Sequence, residues 1–187
     1  MRNAYRNLQI IMLLTVTVTA SSCQTREEVN SGKAEQSTKA TGPLEGVWRE
    51  AEIVVTGANA SSIPNPQPSL YIFTPTHYAM LGTNGEKPRQ LHKALDATTD
   101  EKLAAYNSFW ANAGTYEVAG DTVTIHPVIA RMPNFMAGGS QKLQFRLDGD
   151  ILWFTGKSTD DYYRLGDQVV PDPRPLSETR TKLVRVQ

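Results

Sequence analysis

Beyond residue 43 this chain reads mostly as short strands, and where polar and apolar side chains alternate the period of two predicts them directly. The clearest case is Lys142 to Leu147, where Leu143, Phe145 and Leu147 share one side and Gln144 and Arg146 the other. Asp148-Gly149 signals a hairpin turn, and Ile151 to Phe154 returns with apolar residues on both faces. Gly46 to Val55 forms a first strand carrying Trp48, Ile53, Val54 and Val55. Ser69 to Thr74 and Thr76 to Leu81 read as two short strands, or as one strand bent at Pro75. Between them and the first strand, Thr56 to Pro68 contains Pro64, Pro66 and Pro68, so it is expected to arch over one end rather than pair centrally. Gly82 to Pro88 is rich in turn residues.

One helix is expected. Thr98 and Glu101 have the spacing of a capping box, in which each side chain satisfies an orphan backbone amide of the first turn. Leu103, Tyr106 and Trp110 recur at helical spacing, and Phe109 broadens that apolar face. Gly114 lies past the expected end and opens a strand over Thr115 to Val118. Gly120-Asp121 then turns into Thr122 to Val128, where Pro127 predicts an edge or an end. Arg131 to Gly139 and Asp172 to Ser177 read as loops, and Thr181 to Val186 as the last strand. Asp160-Asp161-Tyr162-Tyr163 also reads as a loop, because neighbouring carboxylates on an extended chain point to opposite faces and make no catalytic pair. About eight short strands with one helix predict an all-β antiparallel barrel, since closure satisfies edges that an open sheet would expose.

The first 43 residues have a different pattern. Arg2 and Arg6 precede an apolar stretch from Leu8 to Ala20, and Ser21-Ser22 leads to Cys23, the one cysteine of the 187-residue chain. Ile10 to Ala20 would span about 16 Å as a helix, about half a bilayer core, so it is a poor permanent span. This order resembles the lipobox of bacterial lipoproteins, which implies a signal peptide over 1–22 and a diacylglycerol on Cys23. Gln24 to Pro43 holds almost nothing apolar and is expected to be a flexible tether, making 23–43 the lipidated cysteine and linker. The folded domain then covers 44–187.

Charge narrows the partners. Lys plus Arg and Asp plus Glu are 19 each, and loss of Arg2 and Arg6 would leave a mature chain near −2. No basic footprint for nucleic acid follows from that balance. With Cys23 assigned to lipid, no disulfide supports the domain, and its stability must come from packing.

Within the domain, Leu44-Glu45-Gly46-Val47-Trp48 resembles the opening of lipocalin-like domains, in which glycine, any residue and tryptophan begin the first strand. Leu70 to Thr74 with His77-Tyr78, Gly114 to Val118 with Gly120-Asp121, and Leu183-Val184-Arg185 extend the likeness over most of 44–187. The resemblance implies an up-and-down barrel that holds a small apolar molecule, with Arg185 lying over Trp48 as a cation–π contact. It implies no reaction and no cofactor.

An eight-stranded barrel is either filled by its own side chains or holds one small ligand, and both alternatives stay open at this point. Alternation turns Phe73, Tyr78, Tyr116, Phe145 and Trp153 inward, along with Tyr71 or Ile72, Val118, Val123 and Ile125. Tyr106 and Trp110 of the helix would lid one mouth, and Arg89 and His126 are the polar candidates for ligand contact. Arg89, Arg131 and Arg146 could clamp a carboxylate if turned inward, although alternation sends Arg146, and also His126, toward solvent. His77, His92 and His126 are too scattered for a metal site, and neither a nucleophile elbow nor a phosphate loop is present. Three functions compete. The favoured one is a membrane-anchored lipoprotein binding a small apolar or amphipathic molecule in its barrel. The second is an isomerase- or cyclase-like enzyme using His126, His77, Tyr78 or Arg89 in the same cavity. The third is a structural envelope lipoprotein without a ligand. Gln24 after the lipidated cysteine favours the outer membrane, facing the periplasm, and the sequence leaves the oligomeric state open.

Overall fold

The computed structural model describes residues 42–186. The signal peptide expected over 1–22, the lipidation expected at Cys23 and most of the expected tether lie outside the described residues. Ten strands follow in order: β1 (Gly46–Gly57), β2 (Ser61–Ile63), β3 (Ser69–Phe73), β4 (His77–Thr83), β5 (Phe109–Ala119), β6 (Thr122–Ala130), β7 (Ser140–Asp148), β8 (Ile151–Leu165), β9 (Gln168–Pro171) and β10 (Ser177–Arg185). One helix, α1 (Thr99–Asn107), lies between β4 and β5. Eight strands close an antiparallel up-and-down barrel in the order β1-β3-β4-β5-β6-β7-β8-β10. β10 closes it by pairing with β1 on one side and β8 on the other. β2 and β9 extend β1 and β8 at their far ends.

The alternation holds where it was clear. Leu143 on β7, Leu152 and Phe154 on β8, Val123 and Ile125 on β6 and Leu183 on β10 are all buried in the lumen. They pack with Phe73, Tyr78, Leu44 and Trp48 into one apolar core. The Trp48 indole N–H donates to the Leu44 carbonyl at 2.9 Å, so its polar atom is satisfied although the ring is fully buried. Arg185 covers that ring with its guanidinium carbon 4.0 Å from the centroid. It also donates to Asp150 and to the Glu45 carbonyl, each at 3.0 Å. Gly46 is required here: its φ is +134°, and a Cβ would run into the Arg185 guanidinium.

Several expectations give way to tertiary pairing. The capping box of α1 is present, with Thr98 Oγ1 accepting from the Glu101 amide at 3.3 Å and Glu101 Oε2 accepting from the Thr98 amide at 2.8 Å. The helix nevertheless ends at Asn107, and Phe109 and Trp110 belong to β5, where they pair with Thr83 and Gly82 of β4. Sheet hydrogen bonds thus override the helical spacing of Trp110, and none of the residues of α1 is buried. Pro127 does not end β6, but the pairing of β6 with β7 stops at Ile125. Pro127 therefore lies where β6 is paired with β5 alone, opposite Gly114 beside a register shift between the two strands. A side chain at Gly114 would collide with the His126 carbonyl, which is why glycine stands there. The loop expected after β1 contains β2. The largest difference from the sequence pattern is in β8, which runs fifteen residues and takes in the Asp160–Tyr163 segment expected as a loop. Trp153 is the other: Leu152 and Phe154 take the inward positions, so Trp153 faces outward beneath Arg180, 4.2 Å from the guanidinium carbon.

Arg185→Ala should destabilise the protein by about 2 kcal/mol through loss of the cation–π contact and two charge-assisted hydrogen bonds. Gly46→Ala should be at least as damaging, because it displaces the same guanidinium and strains the backbone. Urea denaturation of each variant checks both, and wild-type midpoints would contradict the assignment.

Candidate functional site

Inward-facing residues change from apolar to polar along the barrel axis. On β8, Leu152 and Phe154 are followed by Ser158 and Asp161; on β10, Leu183 is preceded by Thr181 and Thr179; on β3, Phe73 is preceded by Tyr71 and Ser69. The apolar half is a cluster of buried side chains around Trp48. The other half encloses a cavity of about 340 Å³. Tyr71, Met80, Trp110, Leu143 and Phe154 supply its apolar lining, and Tyr71 meets Trp110 edge to face at 5.5 Å between centroids. Asn59, Lys157 and Arg174, all exposed, stand where it opens to solvent.

Two carboxyl groups line this cavity. Glu50 on β1 is only 8% exposed. Its amide donates to Ser69 Oγ at 3.0 Å, and its Oε1 accepts from the Tyr71 hydroxyl at 2.7 Å. Its Oε2 has no hydrogen-bond partner among the described residues. Burial raises the Glu50 pKa, and the Tyr71 and Ser69 hydroxyls offset part of the rise. Burial and the Glu50 charge together push the Tyr71 phenol well above its ordinary range.

Asp161 on β8 is equally buried, and its Oδ1 is likewise unpartnered. Desolvation raises its pKa to about 6; Gln141 across the ladder and Arg174 pull it down, while Asp172 and Asp160 push it up. Asp172 has the opposite fate. Arg174 Nε donates to its two oxygens at 3.0 and 2.7 Å, and the Arg174 amide adds a bond of 2.9 Å. Those bonds hold the Asp172 carboxyl below the usual range. One acid therefore has a dedicated arginine, and the other has no ion-pair partner among the described residues. Asn112 Oδ1 on β5 is a third buried acceptor without a partner, and it borders the same cavity.

Of the side chains expected to contact a ligand, Trp110 borders this cavity. Phe73 and Tyr78 lie in the packed half, where Tyr116 meets Phe73 edge to face at 5.3 Å and donates its hydroxyl to the Thr74 carbonyl at 2.6 Å. Phe145 is half-buried against the same core. Four others are outside the lumen. Arg89 donates to Ser108 Oγ and the Ala105 carbonyl; Tyr106 donates to the Arg131 carbonyl; His126 is exposed beside Glu117 at 3.2 Å; Trp153 is on the outer face. The helix does not lid this mouth, since no residue of α1 borders the cavity. His77 is exposed and pairs with the Thr76 hydroxyl. None of the side chains considered for enzyme chemistry (His126, His77, Tyr78, Arg89) reaches this cavity. Arg131 stacks on Tyr106 at 4.6 Å, and Arg146 is exposed.

Glu50, Asn112, Asp161 and Arg174 are the residues that the alternating pattern missed. Glu50 stands two positions after Trp48 and shares its inward side, which the first strand alone could have revealed. The apolar run that predicts β8 stops at Phe154, so no local pattern turns Asp161 inward. Among the described residues no cluster of histidine, cysteine and acids is arranged to hold a metal, and no helix is long and apolar enough to cross a membrane. No protein-family model matches the chain, and no curated protein matches it significantly.

The raised Asp161 pKa carries a stability signature. Between the ordinary carboxyl value and about 6 the native state keeps a proton that the unfolded chain has lost, so stability falls as pH rises through this window. Glu50 acts in the same direction, whereas Asp172 withdraws its support only in more acidic solution. A shift of this size corresponds to about 2–3 kcal/mol. Asp161→Asn should therefore raise stability at pH 7.5 by about 1–3 kcal/mol and flatten the decline between about pH 4 and 6. Thermal unfolding across pH checks this, and an unchanged slope would contradict it.

Proposed function

We propose that this protein is a lipid-anchored, lipocalin-like binding module that takes a small amphipathic molecule into the polar half of its barrel. The observation that carries the reading is the cavity of about 340 Å³, which joins an aromatic lining to three buried acceptors lacking partners. Pockets for small molecules combine an apolar lining with a few converging polar groups, and this volume lies at the lower end of their range. Buried acceptors without donors are costly to the isolated protein, and a ligand carrying donors offsets that cost on binding. The lipobox-like order ending at Cys23 and the polar stretch after it support a tether, holding the barrel at the envelope membrane and, by the identity of Gln24, at the outer one. The Gly46-Val47-Trp48 opening with Arg185 over the tryptophan supports the lipocalin-like assignment.

The apolar dye 1-aminoanthracene should gain fluorescence on mixing with the purified protein, and the protein's melting temperature should rise with dye concentration. Asn112→Phe, which puts a ring into the cavity, should weaken dye binding by about tenfold or more while the barrel stays folded. His126→Ala, on the outer surface, should leave binding unchanged. Dye binding that ignores Asn112→Phe, or no binding at all, would refute a ligand site in the barrel.

A further inference from the structure

We infer that the molecule this cavity takes is an organic cation: a primary ammonium group on a small apolar or aromatic body. The inference rests on the binding reading above and narrows it to a ligand class. Every buried side-chain atom of the cavity wall that lacks a partner is an acceptor: Glu50 Oε2, Asp161 Oδ1 and Asn112 Oδ1. An ammonium group is the complementary species, since it brings three donors and no acceptor. Glu50 and Asp161 are each more than nine-tenths buried, and neither has an ion-pair partner among the described residues. The cation that acts on Asp161, Arg174, is committed to Asp172 through its Nε and Nη2 atoms and its own amide. Lys157 stands exposed at the opening. The site thus lacks one positive charge at depth.

The apolar lining fits the same ligand. Tyr71, Trp110 and Phe154 present rings to the cavity, and a cation beside aromatic rings gains attraction that a neutral alcohol of the same shape does not. An anionic ligand would meet two carboxyl groups and would raise the cost of ionising either. The groups facing Asp161 are Asp160 and Tyr163 on its own strand, Gln141 across the ladder, and Asp172 and Arg174 from the segment after β9. Only Arg174 among these is cationic, and Asp172 largely neutralises it.

The test compares three probes of one shape, benzylamine, benzyl alcohol and benzoate, by calorimetric titration of the full protein at pH 7.5. Benzylamine should bind about tenfold or more tightly than benzyl alcohol, and benzoate most weakly. Asp161→Asn and Glu50→Gln, which keep shape and remove charge, should each weaken the amine far more than the alcohol and bring the two to within about threefold of each other. Amine affinity in the wild type should also fall by about tenfold between pH 7.5 and pH 5 as Asp161 takes up a proton, a fall absent from Asp161→Asn. Equal binding of amine and alcohol would overturn the cation assignment and leave the cavity reading standing. If none of the three probes binds and 1-aminoanthracene does not bind either, both fail.

Discussion

Closure of the sheet by β10 is the constraint from which the rest follows. Once Leu183 lies between Glu50 of β1 and Leu152 of β8, the strands no longer have a free edge at that seam, and every second side chain is committed to the lumen. The lumen must then be either packed or lined, and this chain does both. Trp48, Phe73, Tyr78, Ile125 and Leu152 are buried together in one half. In the other half the same strands present Ser69, Glu50, Asn112, Ser158, Asp161 and Thr181. Those side chains are shorter or polar, and they leave space.

A packed half makes an unpacked half affordable. The Trp48 ring, sealed beneath Arg185 and satisfied by the Leu44 carbonyl, anchors β1, β10 and the segment before β1 at one end. Two carboxyl groups can therefore be carried at the other end without the ion pairs that buried charges ordinarily demand. Arg174 illustrates the selectivity of this arrangement. It neutralises Asp172 with several bonds while Asp161, whose carbonyl accepts from the Asp172 amide at 2.8 Å, keeps an open oxygen. The result is a cavity whose charge is unbalanced by construction.

The barrel was legible because its strongest signals are local. Alternation in Lys142–Leu147, the capping box at Thr98 and the glycine–tryptophan opening each depend on neighbours a few residues apart. The site was much less legible, because it is made by residues whose side is set across strands. Asp161 faces inward only because β8 continues past Phe154 to pair with Gln141 and with β9, a pairing that no local pattern around Asp160-Asp161 announces. Trp110 shows the converse. Its spacing from Leu103 and Tyr106 is helical, yet pairing with Gly82 draws it into β5 and to the cavity wall. Trp153 was misplaced for a related reason, since a run apolar on both faces gives alternation nothing to distinguish, and only the partner strands show that Leu152 and Phe154 take the interior.

The account stands on Glu50 and Asp161 being desolvated inside the barrel with unmet hydrogen-bonding capacity. Carbon-13 NMR of their side-chain carboxyl groups, titrated with acid, reads that state residue by residue. The structure predicts a midpoint of about 6 for Asp161 and one above the ordinary carboxyl range for Glu50, with benzylamine drawing the Asp161 midpoint downward. Midpoints near 4 for both groups, as for carboxyl groups in open water, would contradict it.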